Sequence, residues 1–551
     1  MSKYIFVTGG VVSGIGKGIT AASVGLILKS AGYSVDVIKF DPYLNIDPGT
    51  MSPFEHGEVY VLDDGSETDL DLGHYERFLD VNLTGISSVT AGKIYNKILE
   101  REREGSYLGK NVQLIPHVTN YIKECFARDA EADIRLIEIG GSTGDMEGEI
   151  FLESFRQFKQ EHRSDVFHIH LGYIPYLACS GEYKTKPMQN SIRELLRAGL
   201  QPDAIIIRSD ATEARPLESN IFEKIALFSN LPSDHVISLT DQDSIYKVPL
   251  ALVNSDMSIC LEGFLGQKLE IKLPDFFHKF AENRTSWPTV KIALISKYTK
   301  LGDSYLSVIE SLKIAGVNQG LKVEVSLIDS ESDDIEQQID KVDGVIVPGG
   351  FGRRGMEGKI RAIQHIRENK KPFLGICLGL QMAVVEYARN KCGLSQSVSS
   401  EMVEDRSELE GKDVLIDFMP EQLDILKKGG TMRLGGYDCT LMPNTLVQEL
   451  YGKSEIRERH RHRLEVQSAY VQKLQESGLN ISGRYYFNTE HQLDVSKDQF
   501  LVELIELDQD IHPYFVATQS HPEFLSRPTN PHPLFSGLVA TAHKLKSENQ
   551  N

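Results

Sequence analysis

A glycine-rich loop near the amino terminus constrains the fold of this chain more than any other stretch. The apolar residues 4–7 predict a strand, residues 8–18 are rich in glycine around Lys17, and residues 20–28 favour a helix. A strand, a glycine loop and a helix in this order form an anion site, because backbone amides of the loop and of the helix N-terminus face the ligand. Lys17 is then expected to reach the β- and γ-phosphates of a nucleotide.

The loop differs from a strict Walker A motif. Val11 stands where the first glycine belongs, so that Gly10 gives a loop one residue longer. Position 18 is a glycine rather than Ser or Thr, so Thr20 or an acid elsewhere has to supply the oxygen for a magnesium ion. A tight strand–helix turn with an incidental lysine is the alternative, and the position at the start of an alternating strand–helix pattern favours the phosphate site.

Length and composition limit the class of protein. A chain of 551 residues exceeds one hydrophobic core, so at least two domains are expected. The hydrophobic content of 41% and the charged content of 25% are typical of globular proteins. A net charge of −19 argues against nucleic acid as a partner. Neither a signal peptide nor a membrane-length apolar run is found, and the scattered cysteines indicate reduced thiols, so a cytoplasmic location without a membrane partner is expected.

Strand and helix patterns alternate through both halves of the chain. In residues 1–267 the predicted strands after the first lie at 34–40, 59–62, 135–139, 168–171 and 204–208, with helices at 192–200 and 218–228. The pattern weakens over 268–289, which we interpret as a linker, and strands resume at 290–295, 322–328 and 344–347. The alternation predicts an α/β fold of two doubly wound domains, 1–267 and 290–541, followed by a tail at 542–551.

Several polar residues of the first half are candidate ligands. Glu138 ends an apolar strand beside glycines, which favours a magnesium ligand over a solvent-facing glutamate. The acidic tract 63–71 is interpreted on spacing alone as a solvated surface, with a magnesium ligand as the alternative. His168 and His170 share one strand face, but without a third ligand nearby they favour hydrogen-bonded residues over a metal pair. The basic loop 181–189 is either a polyphosphate-binding loop or an exposed one.

The second half contains a candidate nucleophile. Cys377 lies between Gly375 and Gly379, at the junction of an apolar strand and an apolar helix, which is the nucleophile-elbow arrangement with Cys in place of Ser. A buried structural cysteine is the alternative, and it is the interpretation that we adopt for Cys125 and Cys392. His521 and Glu523, separated by a proline, offer a base and an orienting acid. His512 is a weaker candidate.

These motifs together resemble those of known families. Residues 350–352, 375–381 and 521–523 resemble the class I glutamine amidotransferase motifs, and residues 7–18, 39–43, 47–52, 67–77 and 184–187 closely resemble the CTP synthase family. The similarity runs from residue 3 to about residue 540. It implies a P-loop-like, dethiobiotin-synthetase-like first domain and a flavodoxin-like second domain. It also implies amination of UTP to CTP with ATP, Mg²⁺ and L-glutamine, ammonia passing between two sites through a channel, CTP as inhibitor, GTP as activator, and a homotetramer.

The resemblance also implies residue roles. The catalytic residues would be Cys377, His521, Glu523 and Lys17, with oxyanion amides from Gly350 and Leu378. The metal ligands would be Asp71 and Glu138, which reverses the interpretation of the acidic tract. The ATP site would consist of Gly14, Ile15, Gly16, Lys17, Gly18, Ile19, Asp71, Arg208, Thr240, Asp241 and Gln242. The UTP and CTP sites would consist of Ser13, Asp145, Met146, Glu147, Lys184, Thr185, Lys186, Pro187, Met188, Gln189 and Lys224. Glutamine would be held by Gly350, Leu378, Gly379, Leu380, Gln381, Glu401 and Arg463. His56 matches a gate on the ammonia path.

The sequence departs from the family pattern at three places, and two other functions are possible alternatives. Ser520 replaces a common aromatic residue, Ser142 and Thr143 replace a commoner Thr-Val pair, and residues 485–499 form an apparent insertion. A different acceptor, in another ATP-dependent amidotransferase or a dethiobiotin-synthetase-like carboxylase, is opposed by the loop 184–189. A nucleotide-sensing structural or filament protein is opposed by the intact catalytic side chains.

Overall fold

A computed structural model describes residues 2–52, 56–128, 131–212, 214–282, 285–297, 302–418, 432–486 and 500–550. The chain forms two compact units, of which the first contains Met1–Thr50 and Thr68–Glu282 and the second contains Met51–Glu67 and Asn283–Asn551. The segment Met51–Glu67, which comes from the first half of the sequence, is therefore part of the second unit. The domain and linker boundaries deduced from the sequence remain predictions.

The strands are numbered along the chain. Those up to residue 282 are β1 (Lys3–Gly9), β2 (Val35–Asp41), β3 (Tyr60–Val61), β4 (Glu67–Thr68), β5 (Ser88–Thr90), β6 (Ile134–Ile139), β7 (Val166–Tyr173), β8 (Tyr176–Leu177), β9 (Glu182–Tyr183), β10 (Ala204–Ser209) and β11 (Val236–Thr240). Those that follow are β12 (Thr289–Ser296), β13 (Lys322–Asp329), β14 (Gly344–Val347), β15 (Phe373–Ile376), β16 (Ser397–Ser399), β17 (Asp413–Asp417), β18 (Arg433–Leu441), β19 (Glu455–His462), β20 (Glu465–Val466), β21 (Asn480–Tyr486), β22 (Phe500–Glu506) and β23 (Phe515–Thr518).

The first unit is built on a seven-stranded sheet in the order β11–β10–β7–β1–β6–β2–β5. All neighbouring strands are parallel. Parallel sheets are covered on both faces, which explains why Ile5, Phe6 and Val7 of β1 are all fully buried. Because β1 is the central strand, the glycine loop that follows it opens at the middle of the carboxyl edge, where ligands bind in such sheets.

Helices cover this sheet and build its aromatic core. Phe6 of β1 stacks on Phe155 with ring centroids 3.8 Å apart, and Phe126 meets Phe6 edge-on at 5.1 Å. Inside the predicted linker, a helix buries Phe280, whose ring lies 4.9 Å from that of Tyr246. The helices are Lys17–Ser30, Asp71–Leu79, Ala91–Arg103, Thr119–Ala127, Glu149–Glu161, Lys186–Arg197, Ser219–Ser229, Val248–Val253, Met257–Leu265 and Asp275–Ala281.

The second unit is built on a nine-stranded sheet in the order β13–β12–β14–β15–β23–β22–β21–β18–β19. The pairs from β13 to β23 are parallel, and those from β23 to β19 are antiparallel. The sheet is therefore mixed, and the parallel, doubly wound part that the strand–helix alternation predicts runs from β13 to β23. Three of the antiparallel pairs join strands that are consecutive in the chain, namely β18 with β19, β21 with β22 and β22 with β23, and such pairs need no crossover over the sheet. A separate three-stranded sheet has the order β16–β17–β20.

Helices also pack on the second sheet. They are Leu306–Asn318, Ile335–Asp340, Met356–Glu368, Leu378–Asn390, Leu446–Tyr451, Ser468–Glu476 and Pro533–Gln550. Two apolar clusters form the core, one containing Ile363 and Val384 and the other containing Leu312 and Phe535. The predicted α/β class is thus confirmed for both halves. Of the apparent insertion at 485–499, residues 487–499 lie outside the described residues.

Where the structure describes the chain, no single helix has the length and apolar character needed to cross a membrane. The bent pair Ile245–Val253 and Met257–Leu265 meets those criteria only when its two helices are taken together, with a 64° bend between them.

Candidate active sites

The glycine loop at the end of β1 has an unusual backbone. Val11, Gly14 and Gly16 have positive φ angles of 80°, 69° and 92°. A Cβ on Gly16 would also stand 2.6 Å from Nη1 of Arg208, so a side chain at this position would be both strained and obstructed. Gly16 directly precedes the helix Lys17–Ser30, and the loop therefore presents its amides at a helix N-terminus, as the sequence predicts.

Predicted ATP-site residues meet at this loop. Lys17 Nζ donates a hydrogen bond to the Gly141 carbonyl at 2.9 Å, just beyond β6. Arg208 Nη1 donates to the Ile15 carbonyl at 3.2 Å, and its Nη2 lies 2.6 Å from Asp241 Oδ1. Strands β10 and β11 thus bring a basic and an acidic side chain to the loop. Next to Asp241, Gln242 Nε2 donates to the Thr240 carbonyl at 3.2 Å.

The two predicted metal ligands lie beside the same helix start. A Cβ on Gly18 would come within 2.1 Å of Asp71 Oδ1, which places this carboxylate against the first turn. Burial opposes ionisation of Asp71, but Lys39, whose Nζ lies 2.7 Å from Asp71 Oδ2, holds its pKa below the ordinary value. Burial and then the charge of Asp71 raise the pKa of Glu138 to about 8. Glu138 also accepts a hydrogen bond from the Tyr75 hydroxyl.

This donor set fits a magnesium ion. The charge of Asp71 contributes to the raised pKa of Glu138, and a cation bound between the two carboxyl groups would offset that repulsion and displace the proton of Glu138. Among the described residues, the buried Oγ1 of Thr20 and Oδ2 of Asp41 have no hydrogen-bond partner. Mg²⁺ is bound by oxygen atoms such as those of carboxylates and hydroxyls. Thr20 is one of the oxygen sources that the sequence suggested for this ion.

The predicted UTP residues lie at the start of the helix Lys186–Arg197. Pro187 occupies its first turn, where the missing N–H is harmless. Gln189 Nε2 donates to Thr185 Oγ1 at 2.9 Å. Met188 is fully buried, and a Cβ on Gly172 would stand 1.7 Å from its sulfur, so its contacts are those of a core residue.

Two predicted UTP-site lysines share one acidic neighbour. Lys184 pairs with Glu182, and both Lys184 and, more weakly, Lys224 lower the pKa of Glu182. The loop 181–189 is therefore not purely basic, because its lysine already has an acidic partner that a phosphate would have to replace.

The predicted CTP segment adjoins the glycine loop. Asp145 Oδ2 accepts a hydrogen bond from the Ser142 amide at 3.1 Å, and the Thr143 amide donates to the Gly9 carbonyl at 2.8 Å. Met146 is 82% exposed, and Ser13 and Glu147 are also exposed. The unusual Ser142-Thr143 pair thus connects this segment to the nucleotide loop.

His168 and His170 are hydrogen-bonded core residues. Thr8 Oγ1 lies 2.8 Å from His168 Nε2 and 2.8 Å from His170 Nδ1, and His170 Nε2 lies 2.8 Å from Ser191 Oγ. Burial lowers the pKa of both histidines, that of His170 to about 3, so both are neutral. The interpretation favoured from the sequence is confirmed.

The second site lies at the carboxyl ends of three neighbouring strands. Strand β15 ends directly before Cys377, β14 ends before Gly349, and β23 ends before His521. Cys377 has a φ of 51°, a strained value for a side-chain-bearing residue, and its amide donates to the Thr518 carbonyl at 2.7 Å. A Cβ on Gly349 would lie 2.7 Å from His521 Cε1 and 3.6 Å from Cys377 Cβ. The histidine and the cysteine therefore face the same glycine.

Glu523 completes a Cys-His-Glu arrangement. His521 Nδ1 lies 2.7 Å from Glu523 Oε1. Burial disfavours the imidazolium, but the charges of Glu523 and Cys377 outweigh it and raise the pKa of His521 to about 10. The histidine is thus protonated at neutral pH, beside a nucleophilic sulfur and an orienting carboxylate, which is the arrangement of an acyl-transfer site.

The other residues predicted to bind glutamine differ in burial and in their contacts around the nucleophile. Glu401 Oε1 accepts from the Gly352 amide at 2.5 Å, and Gln381 Nε2 donates to the Leu464 carbonyl at 3.1 Å. Arg463 is exposed and follows β19. Of the remaining residues of this prediction, Leu378, Gly379 and Leu380 are buried at the start of the nucleophile helix, and Gly350 is partly buried on the loop after β14.

Some neighbours of the sites were missed by the sequence analysis. Gln519 Nε2 donates to Cys377 Sγ at 3.7 Å, and only its place two residues before His521 could have drawn attention to it. Lys39 belongs to the motif at residues 39–43, but the sequence did not indicate that it lies among three carboxylates, including Asp41 at 3.1 Å. Arg461 Nε lies 2.7 Å from Glu67 Oε1, a pairing for which the sequence offers no signal.

Comparisons with known proteins match both halves of the chain. A family model described as CTP synthase N-terminus matches residues 3–266, and one described as glutamine amidotransferase class-I matches residues 300–541. A CTP synthase from Caldanaerobacter subterraneus is 49% identical over 557 residues, covering 100% of each chain. A CTP synthase from Symbiobacterium thermophilum is 48% identical over 557 residues, covering 98% of each.

The chain belongs to the CTP synthase family. The resemblance inferred from the motifs is thereby confirmed, while the roles of single residues in this CTP synthase family member remain predictions. Among solved structures, the glutaminase domain of Trypanosoma brucei CTPS with bound acivicin is 32% identical, with a TM-score of 0.41, and the match covers 46% of this chain and 94% of that one.

Proposed function

We propose that the chain aminates UTP to CTP, the final step of pyrimidine nucleotide synthesis, with ATP as phosphoryl donor and L-glutamine as nitrogen donor. The observation that carries this proposal is that one chain contains two different sites. One consists of a glycine loop with Lys17, Asp71 and Glu138, and the other consists of Cys377, His521 and Glu523. A glutamine-dependent ligase requires both kinds of site.

The second unit would release ammonia. The sulfur of Cys377 attacks the side-chain amide carbon of glutamine, and the amides of Gly350 and Leu378 stabilise the oxyanion. His521, held by Glu523, gives its proton to the departing nitrogen, so that ammonia leaves and a thioester remains. His521 then takes a proton from water, which attacks the thioester and releases glutamate and the free cysteine.

The first unit would activate and aminate UTP. Loop amides and Lys17 hold the phosphates of ATP, and the γ-phosphoryl group passes to O4 of the uracil ring. Asp71 and Glu138 would hold the magnesium ion, which supplies neutralisation of phosphate charge. Ammonia attacks C4 of the ring, and inorganic phosphate leaves with the former O4, which is otherwise a poor leaving group.

Regulation, assembly and location complete the proposal. The segment around Met146 is assigned to the inhibitor CTP, and the residues Lys184–Gln189 with Lys224 to UTP. GTP is proposed as activator and a homotetramer as the working form, both by analogy with the family. The proposed location is cytoplasmic, with nucleotides and glutamine as partners and neither nucleic acid nor membrane.

The test follows the absorbance change from UTP to CTP with ATP and Mg²⁺ present. Glutamine and ammonium at raised pH are supplied separately to the parent and to Lys17→Ala. We expect the parent to use both nitrogen sources and Lys17→Ala to use neither. Lys97→Ala, which removes an exposed lysine paired with Glu100, is the matched control and should match the parent.

Two outcomes would contradict the proposal. If the parent hydrolyses glutamine but makes no CTP from either nitrogen source, the acceptor is not UTP. If the folded parent turns over neither glutamine nor ATP, a structural or sensing role is favoured.

A further inference from the structure

A lysine that no proposed step uses lies beneath the glutaminase site. Lys359 is in the first turn of the helix Met356–Glu368, which follows the loop that contains Gly350. Its side chain is fully buried, and its Nζ has no hydrogen-bond partner among the described residues. An unpartnered buried amine is destabilising, so a lysine retained in such a place calls for a functional explanation.

The amine of Lys359 lies near the predicted oxyanion amides. A Cβ on Gly350 would stand 4.0 Å from Lys359 Nζ and 3.7 Å from Leu378 Cδ2. The charged or ionisable groups that act on Lys359 are Cys377, Glu401 and Lys297. The positive charge of Lys359 is therefore close to where negative charge forms during glutamine hydrolysis.

The neighbouring Lys297 has a different role. Its Nζ donates to the Phe351 carbonyl at 2.8 Å and also to the Gly352 carbonyl, so this amine fixes the loop by hydrogen bonds. Lys359 has no such bonds to described residues, which leaves its charge, rather than a structural contact, as its contribution.

We propose that Lys359 is a positioning residue of the glutaminase site, whose buried ammonium group stabilises the thiolate of Cys377 and the oxyanion beside Gly350. This inference rests on the proposed glutaminase half-reaction. The ammonium acts through space on the sulfur, as a positive neighbour does for reactive cysteines in general.

The pH range of this effect follows from the environment of Lys359. Burial and then the charge of Lys297 lower the pKa of Lys359 to about 7, while Cys377 and Glu401 oppose that shift. The amine is charged below this pH and neutral above it, so its help to the thiolate is lost as pH rises. Lys359 therefore acts on the site as a cation mainly below about pH 7.

The experiment measures alkylation of Cys377 by iodoacetamide as a function of pH, in the full chain and without substrates. The background is Cys179→Ser, because Cys179 is the exposed cysteine. We expect Lys359→Met to move the acidic limb of the alkylation profile up by about one pH unit, which means about tenfold slower alkylation on that limb. The same variant should melt at a higher temperature, because it replaces an unpartnered amine with an apolar side chain.

Two further variants separate charge from structure. Lys371→Met, which removes a half-buried amine that donates to the Val342 carbonyl at 2.7 Å, should leave the alkylation profile unchanged. Lys359→Gln, which is polar but uncharged, should shift the profile as Lys359→Met does.

The inference fails if both Lys359 variants alkylate with the parental profile. It also fails if Lys359→Gln keeps that profile while Lys359→Met does not, or if neither variant folds, because Lys359 would then be structural. Alkylation requires no turnover, so a shifted profile in a chain that makes no CTP would contradict the proposed function alone.

Discussion

The two sites of this chain use buried charge in opposite ways. In the first unit, burial and then the charge of Asp71 raise the pKa of Glu138 to about 8, so one of two neighbouring carboxyl groups keeps its proton at neutral pH. In the second unit, His521 and Glu523 form an opposite pair 2.7 Å apart, and the pKa of His521 is raised to about 10. In the first site a bound cation would have to displace the proton of Glu138, whereas the second site is assembled from protein groups alone.

This difference reflects the two chemistries. Phosphoryl transfer depends mainly on positioning and neutralising charges that the substrates bring, so the protein offers carboxylates and amides. Acyl transfer needs a nucleophile and a proton donor, which the protein itself has to provide in fixed geometry. Mutations in the two sites should therefore differ in which nitrogen source they affect. They should also differ in how the effect depends on metal and on pH.

The largest expected effect is that of Cys377→Ala. Glutamine-dependent CTP formation should fall by about 10⁴-fold or more, because no other group near His521 can form the thioester. The rate with ammonium should stay within about twofold of the parent, because the first unit keeps every group. Steady-state rates with the two nitrogen sources measure this, and a loss of both rates in a folded variant would show that the two chemistries are not separable.

The second largest effect is expected for Glu138→Gln. Activity with either nitrogen source should fall by about 10²–10³-fold, because the magnesium ion loses a charged ligand. The pKa of Glu138 is raised from 4.5 to about 8, so folding takes up a proton between those values, and the contribution of Glu138 to stability declines as pH rises through that range.

The same variant should therefore be more stable than the parent in metal-free and nucleotide-free buffer, with the largest gain above pH 8. Melting curves at acidic and alkaline pH test this. A variant that is less stable than the parent at alkaline pH would contradict the raised pKa of Glu138 in the folded protein.

A pair of neighbouring glycines should sharpen the contrast in geometry. In Gly349→Ala the new Cβ would lie 2.7 Å from His521 Cε1, so the ring has to move and glutamine-dependent activity should fall by about 10²-fold. In Gly350→Ala the nearest atoms are at 3.7 Å and 4.0 Å, so the expected loss is about threefold or less. Equal losses in the two variants would argue against a preorganised second site.

A pH dependence of metal affinity is also expected. Below about pH 8 the carboxyl of Glu138 carries a proton that magnesium has to displace. The apparent affinity for Mg²⁺ with a non-hydrolysable ATP analogue should therefore rise by up to about tenfold per pH unit between acidic pH and about pH 8. Calorimetric titrations measure this rise. The Glu138→Gln variant is the control, in which only the titration of the nucleotide itself should remain.

Elements with a strong local pattern could be predicted from the sequence. The strand predicted at 344–347 is found as β14, and that at 204–208 is found with one more residue as β10. Both are continuous apolar runs bounded by polar or glycine residues, which is the signature of a buried parallel strand. The predicted triad of Cys377, His521 and Glu523 could be chosen because the nucleophile elbow and the closely spaced base and acid are local patterns.

Other features depend on contacts that local patterns do not encode. The antiparallel part of the second sheet follows from which strands meet, not from strand periodicity. The helix Asp275–Ala281 lies where charges and prolines suggested a linker, and three buried phenylalanines hold it in place. The charge state of Lys359 likewise depends on burial, which a lysine in a sequence does not reveal.

The segment Met51–Glu67 limits how the two halves of the chain can be expressed separately. Tyr60 donates a hydrogen bond at 2.7 Å to the carbonyl of Phe524, next to Glu523, and Arg459 donates at 3.1 Å to the carbonyl of Val61. A plasmid that encodes only residues 290–551 would express a glutaminase without these contacts. Neither half can be expressed alone with all its contacts, because Met51–Glu67 lies in the first half of the sequence but belongs to the second unit. A working split version would have to supply Met51–Glu67 as a separate peptide.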